Sequence, residues 1–419
     1  MKSNKFIKLW GMIFVLLLGG TVALNYFTDP YLLYGTSRIE GTNKIKPFAG
    51  THSRQSKIHL AHKTDLDLLI IGNSRPEMGI DPDHVYFRKH NLKAFNLGQP
   101  GSSLSNQYGY ALDILREKDI KIVFIAVDFM DFITDANKKS DPYVWPPQKN
   151  SANNRLKFNW NGTDNPGYMA QYVKDIYGPL IALGTLKDSI LTLFNQRPEA
   201  SNLHDNGFNP ALDMNSATRK EGVKILFNQK TPMIVKSFTS RDWKIYTPGY
   251  RWSAEFNKLQ FLLTYLQAHG IETKIFINPY HMQYLEIIDY SGLSEEFSQW
   301  KRQLTKIVAT TSNNETITLW NFSDPGDYVS EPFIKAGKTP LKWFWEPAHY
   351  RKELGDIMIT NMMTTPPLSE IIEEPFGYIL TPENIETSLI EYTLKLKKYR
   401  SGQSEEVTFI KAKYFSLTE

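Results

Sequence analysis

The sequence predicts an α/β protein with a doubly wound, mostly parallel sheet, carried on an N-terminal transmembrane helix and interrupted by an inserted subregion. Three observations lead there. Short apolar runs, two of them closed by glycine, alternate with longer segments whose apolar residues recur at helical spacing, the rhythm of a parallel sheet. An uncharged run, residues 9–27, follows Lys2, Lys5 and Lys8. The chain has 419 residues, enough for one large core with an insertion or for two domains.

The N-terminal run comes first. At the helical rise per residue it reaches roughly 28 Å, close to the hydrocarbon thickness of a bilayer. Lysines before it and none just after it predict residues 1–8 as a cytoplasmic tail, residues 9–27 as the anchor and an exported body. A cleaved signal peptide is the competing reading. The length of the run, Trp10 at an interface position and the lack of a small-x-small site beyond Thr21-Val22-Ala23 favour a retained anchor. Residues 28–63 read as a stalk. Within it His59 and His62 lie one helical turn apart, but no acidic or third histidine partner is near in sequence, so a solvated helix face is expected and no metal site.

The α/β domain is predicted over residues 64–365. Strands are expected at 66–71, ending at Gly72, at 93–97, ending at Gly98, and at 120–127, 271–277 and 316–320. The third is apolar on both faces and should be central. Helices are expected at 103–118, with Leu104, Tyr108, Ala111, Leu112 and Leu115 on one face, at 254–269, with Phe256, Leu259, Leu263 and Leu266 in register before Gly270, and at 350–363. Residues 133–250 break the rhythm; rich in Asn, Asp, Gly, Pro and aromatics, they read as an insertion forming a lid or substrate platform, with local helix at 167–195. Residues 366–419 read as a helical tail. Pro366-Pro367 marks the break, and Thr381-Pro382-Glu383 opens a helix to about Lys398.

Composition narrows the chemistry. No cysteine is present, which excludes disulfides, a cysteine nucleophile and thiolate metal sites. The net charge of +4 is spread along the chain with no basic stripe, so nucleic acid is not an expected partner. No cofactor is expected. Aromatics make up 13% of the chain and serve either core packing or sugar-stacking surfaces.

Sites in doubly wound sheets form at the carboxyl ends of strands. After the first strand comes Gly72-Asn73-Ser74-Arg75, which sets a serine on the strand-to-helix turn; Ser74 is a candidate nucleophile beside outward-pointing N–H groups, or a helix cap. After the second comes Gly98, whose N–H can approach a bound oxygen, or which simply makes a Gly/Pro turn. Late in the chain Glu346-Pro347-Ala348-His349 puts an acid three residues before a histidine. Such a carboxylate can hold Nδ1 and leave Nε2 to take the serine proton.

This order and spacing resemble the SGNH (GDSL-like) hydrolase superfamily. Gly72-Asn73-Ser74 corresponds to its first block, Gly98 to its glycine donor and Glu346-Pro347-Ala348-His349 to its Asp-x-x-His block; the resemblance covers roughly residues 64–135 and 254–363. More narrowly, the anchor, the Gly-Asn-Ser-Arg turn and the late histidine loop resemble the bacterial envelope proteins related to alginate O-acetyltransferases and to the D-alanine transfer protein of teichoic acids. The resemblance implies a serine esterase or O-acyltransferase acting on polysaccharide or glycan acyl esters outside the cytoplasmic membrane. Transfer would also need a membrane-bound partner that exports acyl groups. Ser74 would be the nucleophile, His349 the base and Glu346 its orienting acid. The N–H groups of Ser74 and Gly98 would hold the oxyanion, and Arg75 would meet an anionic part of the substrate.

Two departures stand out. The family's third-block Asn is missing; the place reads Val127-Asp128-Phe129-Met130-Asp131-Phe132, and an ionised Asp128 there must point away, be protonated or serve another role. Asn278 is the candidate substitute donor. Glu346 replaces an Asp, with Asp128 as its rival for the acid. These departures keep open a catalytically silent glycan-binding or assembly protein on the same fold.

Overall fold

The structure is a computed structural model describing residues 2–137, 151–312, 316–364, 376–402 and 404–418. The chain divides into two units, residues 1–64 with 148–213, and residues 65–147 with 214–419.

The second unit is α/β. In chain order its strands are β1 (Leu68–Ile71), β2 (Ala94–Asn96), β3 (Ile122–Val127), β4 (Thr134–Asp135), β5 (Trp243–Lys244), β6 (Glu272–Ile277), β7 (Ile317–Asn321), β8 (Phe344–Glu346), β9 (His349–Tyr350) and β10 (Tyr378–Ile379). Six of them form the central sheet, in the order β10-β7-β6-β3-β1-β2. All its pairings are parallel except β10 on β7. β1 and β3 are buried along their whole length, as continuous apolar runs covered on both faces require. Register is set by pairs such as Ile70 with Phe124 and Ile125 with Ile275. Because β2 lies on one side of β1 and β3 on the other, the chain reverses its progress across the sheet at β1. Such a reversal opens a crevice between the carboxyl ends of β1 and β3.

Helices cover the sheet by their apolar stripes. Ala254–Ala268 buries Phe256, Leu259, Leu262, Leu263 and Leu266, and Gly270 follows it at φ +65°. Truncating one of these leucines to alanine would cost about 2–5 kcal/mol. Ser294–Thr311, not predicted from the sequence, buries Phe297, Trp300, Leu304, Ile307 and Val308, a helical spacing, and carries Glu295 and Glu296 in its first turn.

The division of the chain differs from the one read from sequence. Residues from 376 onward, read as a tail, belong to the α/β unit: Tyr378 and Ile379 pair with Asn321 and Trp320 at the sheet edge. Helix Ile385–Gly402 buries Ile385, Leu389, Leu396 and Tyr399, and the Glu406 carboxylate accepts from the backbone N–H of Phe333 at 2.8 Å. Pro366-Pro367 lies outside the described residues. The stretch read as one insertion is also split, since Val223–Thr239 packs within the α/β unit, where Gln283 donates to Thr231 Oγ1 at 2.7 Å.

The first unit is helical. Lys2–Thr28 contains the one span, among the described residues, long and apolar enough to cross a membrane, which is consistent with a single-pass anchor. It packs against Tyr168–Ile181 and Leu183–Phe194, two helices where local helix at 167–195 was expected. The expectation of a solvated face at His59 is corrected. His59 is buried, with Nε2 3.3 Å from Asp175 Oδ2, and Asp175 also accepts from Arg155 and Gln171. The acidic partner is supplied from 116 positions away.

Candidate active site

Ser74 is positioned by the turn that leaves β1. Gly72 takes φ +155°, and a Cβ on it would stand 2.5 Å from Pro76 Cγ and 2.9 Å from Ala126 Cβ, so both conformation and space call for glycine. The short helix Ser74–Gly79 is capped by Asn73, whose side chain accepts from Arg75 N–H at 3.0 Å. Asn73, not Ser74, therefore does the capping, which leaves the Ser74 hydroxyl available. In this first turn Arg75 N–H is capped and Pro76 has no N–H, so the Ser74 N–H is the donor left without an intrahelical partner.

His349 and Glu346 come from the ribbon β8–β9. The two residues are paired across it, with Pro347 and Ala348 at the turn. This placement lets a glutamate reach the ring. His349 Nε2 lies 2.7 Å from Ser74 Oγ, Nδ1 contacts Glu346 Oε1, and Glu346 Oε2 accepts from Ala348 N–H at 3.0 Å. With Nδ1–H held by the carboxylate, Nε2 is the acceptor that faces the serine hydroxyl. Glu346 is buried, which alone would raise its pKa. The electrostatic pull of the His349 ring and the hydrogen bonds from His349 and Ala348 outweigh burial and hold the carboxyl below its ordinary range.

The ribbon is braced from β6. His281 N–H donates to the Pro347 carbonyl at 3.2 Å. The His281 ring is neutral: Nδ1 accepts from Gln283 N–H at 3.1 Å, and Nε2–H donates to the Glu331 carbonyl at 2.9 Å. Burial pushes its pKa down to about 4, against the opposing pull of Glu331 and Glu346. The Glu331 carboxylate in turn accepts from the N–H groups of Lys342 and Trp343, just before β8.

Two glycines let the histidine ribbon sit against the serine helix. A Cβ on Gly79 would lie 1.9 Å from the Tyr350 ring, and one on Gly355, in helix Lys352–Met363, would lie 1.7 Å from the Gly79 carbonyl oxygen. Tyr350 is fully buried and its hydroxyl donates to Asn278 Oδ1 at 3.2 Å.

Beneath the Ser74 turn lies a buried charge cluster. Arg75 Nη1 is 2.8 Å from Asp128 Oδ2, and its guanidinium stands 5.1 Å from the ring centres of both Tyr280 and Tyr284. Tyr280 donates to Asp128 Oδ1 at 2.7 Å. Asn73 Nδ2 donates to Asp128 Oδ2 and lies 3.4 Å from Asp131 Oδ2. Burial and the Asp128 charge push the Asp131 carboxyl up to about 7, while Arg75 and Gln107 pull it down.

These contacts revise three expectations from sequence and decide a fourth point left open there. The Gly98 N–H donates to Asn96 Oδ1 at 2.9 Å rather than facing the serine. What the position demands is closeness, since a Cβ there would stand 2.9 Å from the Asn73 carbonyl. The Asn278 side chain bridges Val127 O at 3.3 Å and the Tyr350 hydroxyl, so its amide braces the fold rather than substituting for the missing donor. Arg75 faces inward to Asp128 and two tyrosine rings, not a substrate anion. Asp128 serves the Arg75 pair and does not contact His349; the acid beside the imidazole is Glu346.

Sequence reasoning missed Gly79, Tyr350, Gly355, Asn73, Tyr280, Tyr284, His281 and Asp131. Only Asn73 carried a legible signal, as an Asn directly before a Ser-Arg-Pro helix start. No protein-family model matches the chain, and no curated protein matches its sequence.

Proposed function

We propose that the chain is a membrane-anchored, SGNH-like serine esterase or O-acyltransferase acting on acyl esters of cell-envelope polysaccharide or glycan. The observation that carries this reading is the 2.7 Å approach of Ser74 Oγ to His349 Nε2, with the Glu346 carboxylate on Nδ1. The site lies beside the crevice between β1 and β3, where ligands of such sheets bind.

The chemistry follows from the contacts. Ser74 Oγ attacks the acyl carbonyl carbon as its proton passes to Nε2. The tetrahedral oxyanion is held by the Ser74 N–H, and the leaving alkoxide departs with the proton from Nε2. An acceptor hydroxyl then gives its proton to His349 and attacks the acyl-enzyme, and Ser74 regains a proton as it leaves. A sugar acceptor makes the protein a transferase, and water makes it an esterase. Glu346 stabilises the imidazolium formed in each half. As a transferase working outside the cytoplasm, the protein would draw acyl groups from a membrane-bound exporting partner. Of the stretch 133–250 read as an insertion, residues 214–250, which belong to the α/β unit, would supply the platform for the glycan.

One observation favours a second reading, a silent glycan-binding protein: the Gly98 N–H and the Asn278 amide are both engaged within the fold, which leaves the Ser74 N–H as the remaining donor of these three. Labelling of the full chain with a fluorophosphonate probe separates the two. Labelling that Ser74→Ala and His349→Ala each abolish supports the enzyme. No labelling of the wild-type protein at neutral and mildly alkaline pH overturns it in favour of the binder.

A further inference from the structure

Two helices of the first unit are built inside out over part of their surface. In helix Leu183–Phe194 the buried residues are Thr185, Ser189 and Thr192, all hydroxyl-bearing, while Leu183, Ile190 and Phe194 are 75%, 42% and 77% exposed. In Tyr168–Ile181 the stripe Val173, Tyr177 and Ile181, spaced by four, is 49%, 57% and 60% exposed. In water, burying such side chains is favoured over leaving them exposed. A surface that shows them and hides threonines is a poor solution in water. In a bilayer, where helices meet through small and hydroxyl-bearing residues and turn their apolar side chains to lipid, it is an ordinary one.

The two helices are fixed to the anchor at the end of its apolar run. Asn25 Nδ2 donates to the carbonyls of Leu180 at 2.9 Å and Pro179 at 3.1 Å, and Asn25 Oδ1 accepts from Ser189 Oγ at 2.9 Å. Asn25 thus grips the corner where one helix passes into the next.

Length then decides the depth. Anchor residues through Gly20 are exposed, and partial burial begins at Thr21. Residues 9–20 supply only about 18 Å of helix, against a hydrocarbon core of about 30 Å. Residues 9–27 supply about 28 Å, but their last part is the part packed against the two helices. The anchor reaches full span only if the corner around Asn25 enters the leaflet with it. An amphipathic helix buried about 5–10 Å into the headgroup and acyl boundary has this geometry. Lys174 and Lys187, both exposed beside the stripes, have stems long enough to lift their charges to the phosphates.

We propose that helices Tyr168–Ile181 and Leu183–Phe194 form a hairpin embedded in the lipid leaflet at the C-terminal end of the anchor, so that the protein is held by three helices rather than one. The occupant of the apolar face is lipid because both helices pack on Lys2–Thr28, the described helix long and apolar enough to cross a membrane. The proposal is independent of the chemistry assigned to Ser74.

The absence of native cysteine makes the test direct. Single variants Val173→Cys, Ile190→Cys and Phe194→Cys are made in the full chain, with Leu16→Cys as the anchor reference and Glu199→Cys as the water reference. Each is placed in nanodiscs of phosphatidylethanolamine and phosphatidylglycerol. Each is treated with a charged maleimide or labelled with an environment-sensitive fluorophore and challenged with nitroxide-bearing lipid. The three hairpin positions should follow Leu16→Cys: modification at least about tenfold slower than at Glu199→Cys, since only the thiolate reacts and hydrocarbon suppresses it, and strong quenching by the lipid nitroxide. Fast modification without quenching means a water-facing hairpin and overturns the proposal. Slow modification without quenching means cover by protein and overturns it too, as does fast modification at Leu16→Cys.

Discussion

The ring of Tyr350 fills the space in which a side chain on Gly79 would stand, at 1.9 Å from the nearest ring atom. Tyr350 follows His349 in the chain, and Gly79 closes the helix that begins at Ser74. The contact therefore sets the spacing between the serine helix and the histidine ribbon.

Gly79→Ala is expected to destabilise the protein by about 1–3 kcal/mol, the usual range for an overpacked core, and to reduce fluorophosphonate labelling of Ser74 although no reacting group is altered. Urea unfolding and labelling are read on the same sample. Gly326→Ala, where a Cβ meets nothing within 4 Å, is the control and should stay within about 0.5 kcal/mol of wild type.

Glu346 and Asp128 separate by substitution. Glu346→Gln should leave the fold intact and lower the labelling rate by up to about 10⁴, the loss expected when an orienting carboxylate goes. Asp128→Asn should do the opposite. It leaves Arg75 buried without its counter-charge, which costs about 3–5 kcal/mol, while labelling per folded molecule persists. Loss of labelling in Asp128→Asn with retention in Glu346→Gln would reverse the assignment of the acid.

Acid stability should depend on His281. Its folded pKa, about 4, lies below the ordinary value near 6.5, so the folded state resists the proton. The contribution is whole above about pH 6.5 and is lost as pH falls through 4, on the order of 3 kcal/mol in all. His281→Asn keeps a cap for helix Met282–Tyr290, and the fall in Tm between pH 7 and pH 4.5 should be smaller than in wild type.

Asp131 works with the opposite sign. Its folded pKa, about 7, lies above the ordinary 3.8, so its contribution is whole below that value and is lost as pH rises to 7. Asp131→Asn should therefore raise Tm relative to wild type more at pH 8 than at pH 5. An equal shift at both would show that the carboxyl ionises freely in the folded protein.

By itself the sequence determined the elements whose signal is local. The apolar runs of β1, β3 and β6, the glycine after β1 and the stripe of helix Ala254–Ala268 are each written in adjacent residues, because period and punctuation are properties of a short window. The positions of Ser74 after the first strand, and of Glu346 three residues before His349, were legible for the same reason.

What only the tertiary structure decided is which polar atoms face inward and which apolar ones face out. Ser74 and His349 are 275 positions apart, and Tyr280 lies 152 positions from the Asp128 it hydrogen-bonds. No window of sequence states that Arg75 is taken by Asp128, that the Gly98 N–H is taken by Asn96, or that Asn278 braces Tyr350. A buried donor must find an acceptor, and which acceptor it finds depends on groups that meet only once the chain has folded. The inside-out helices make the same point. The pattern of Leu183–Phe194 marks an apolar side and a hydroxyl side, but the packing against the anchor chose which of the two was buried.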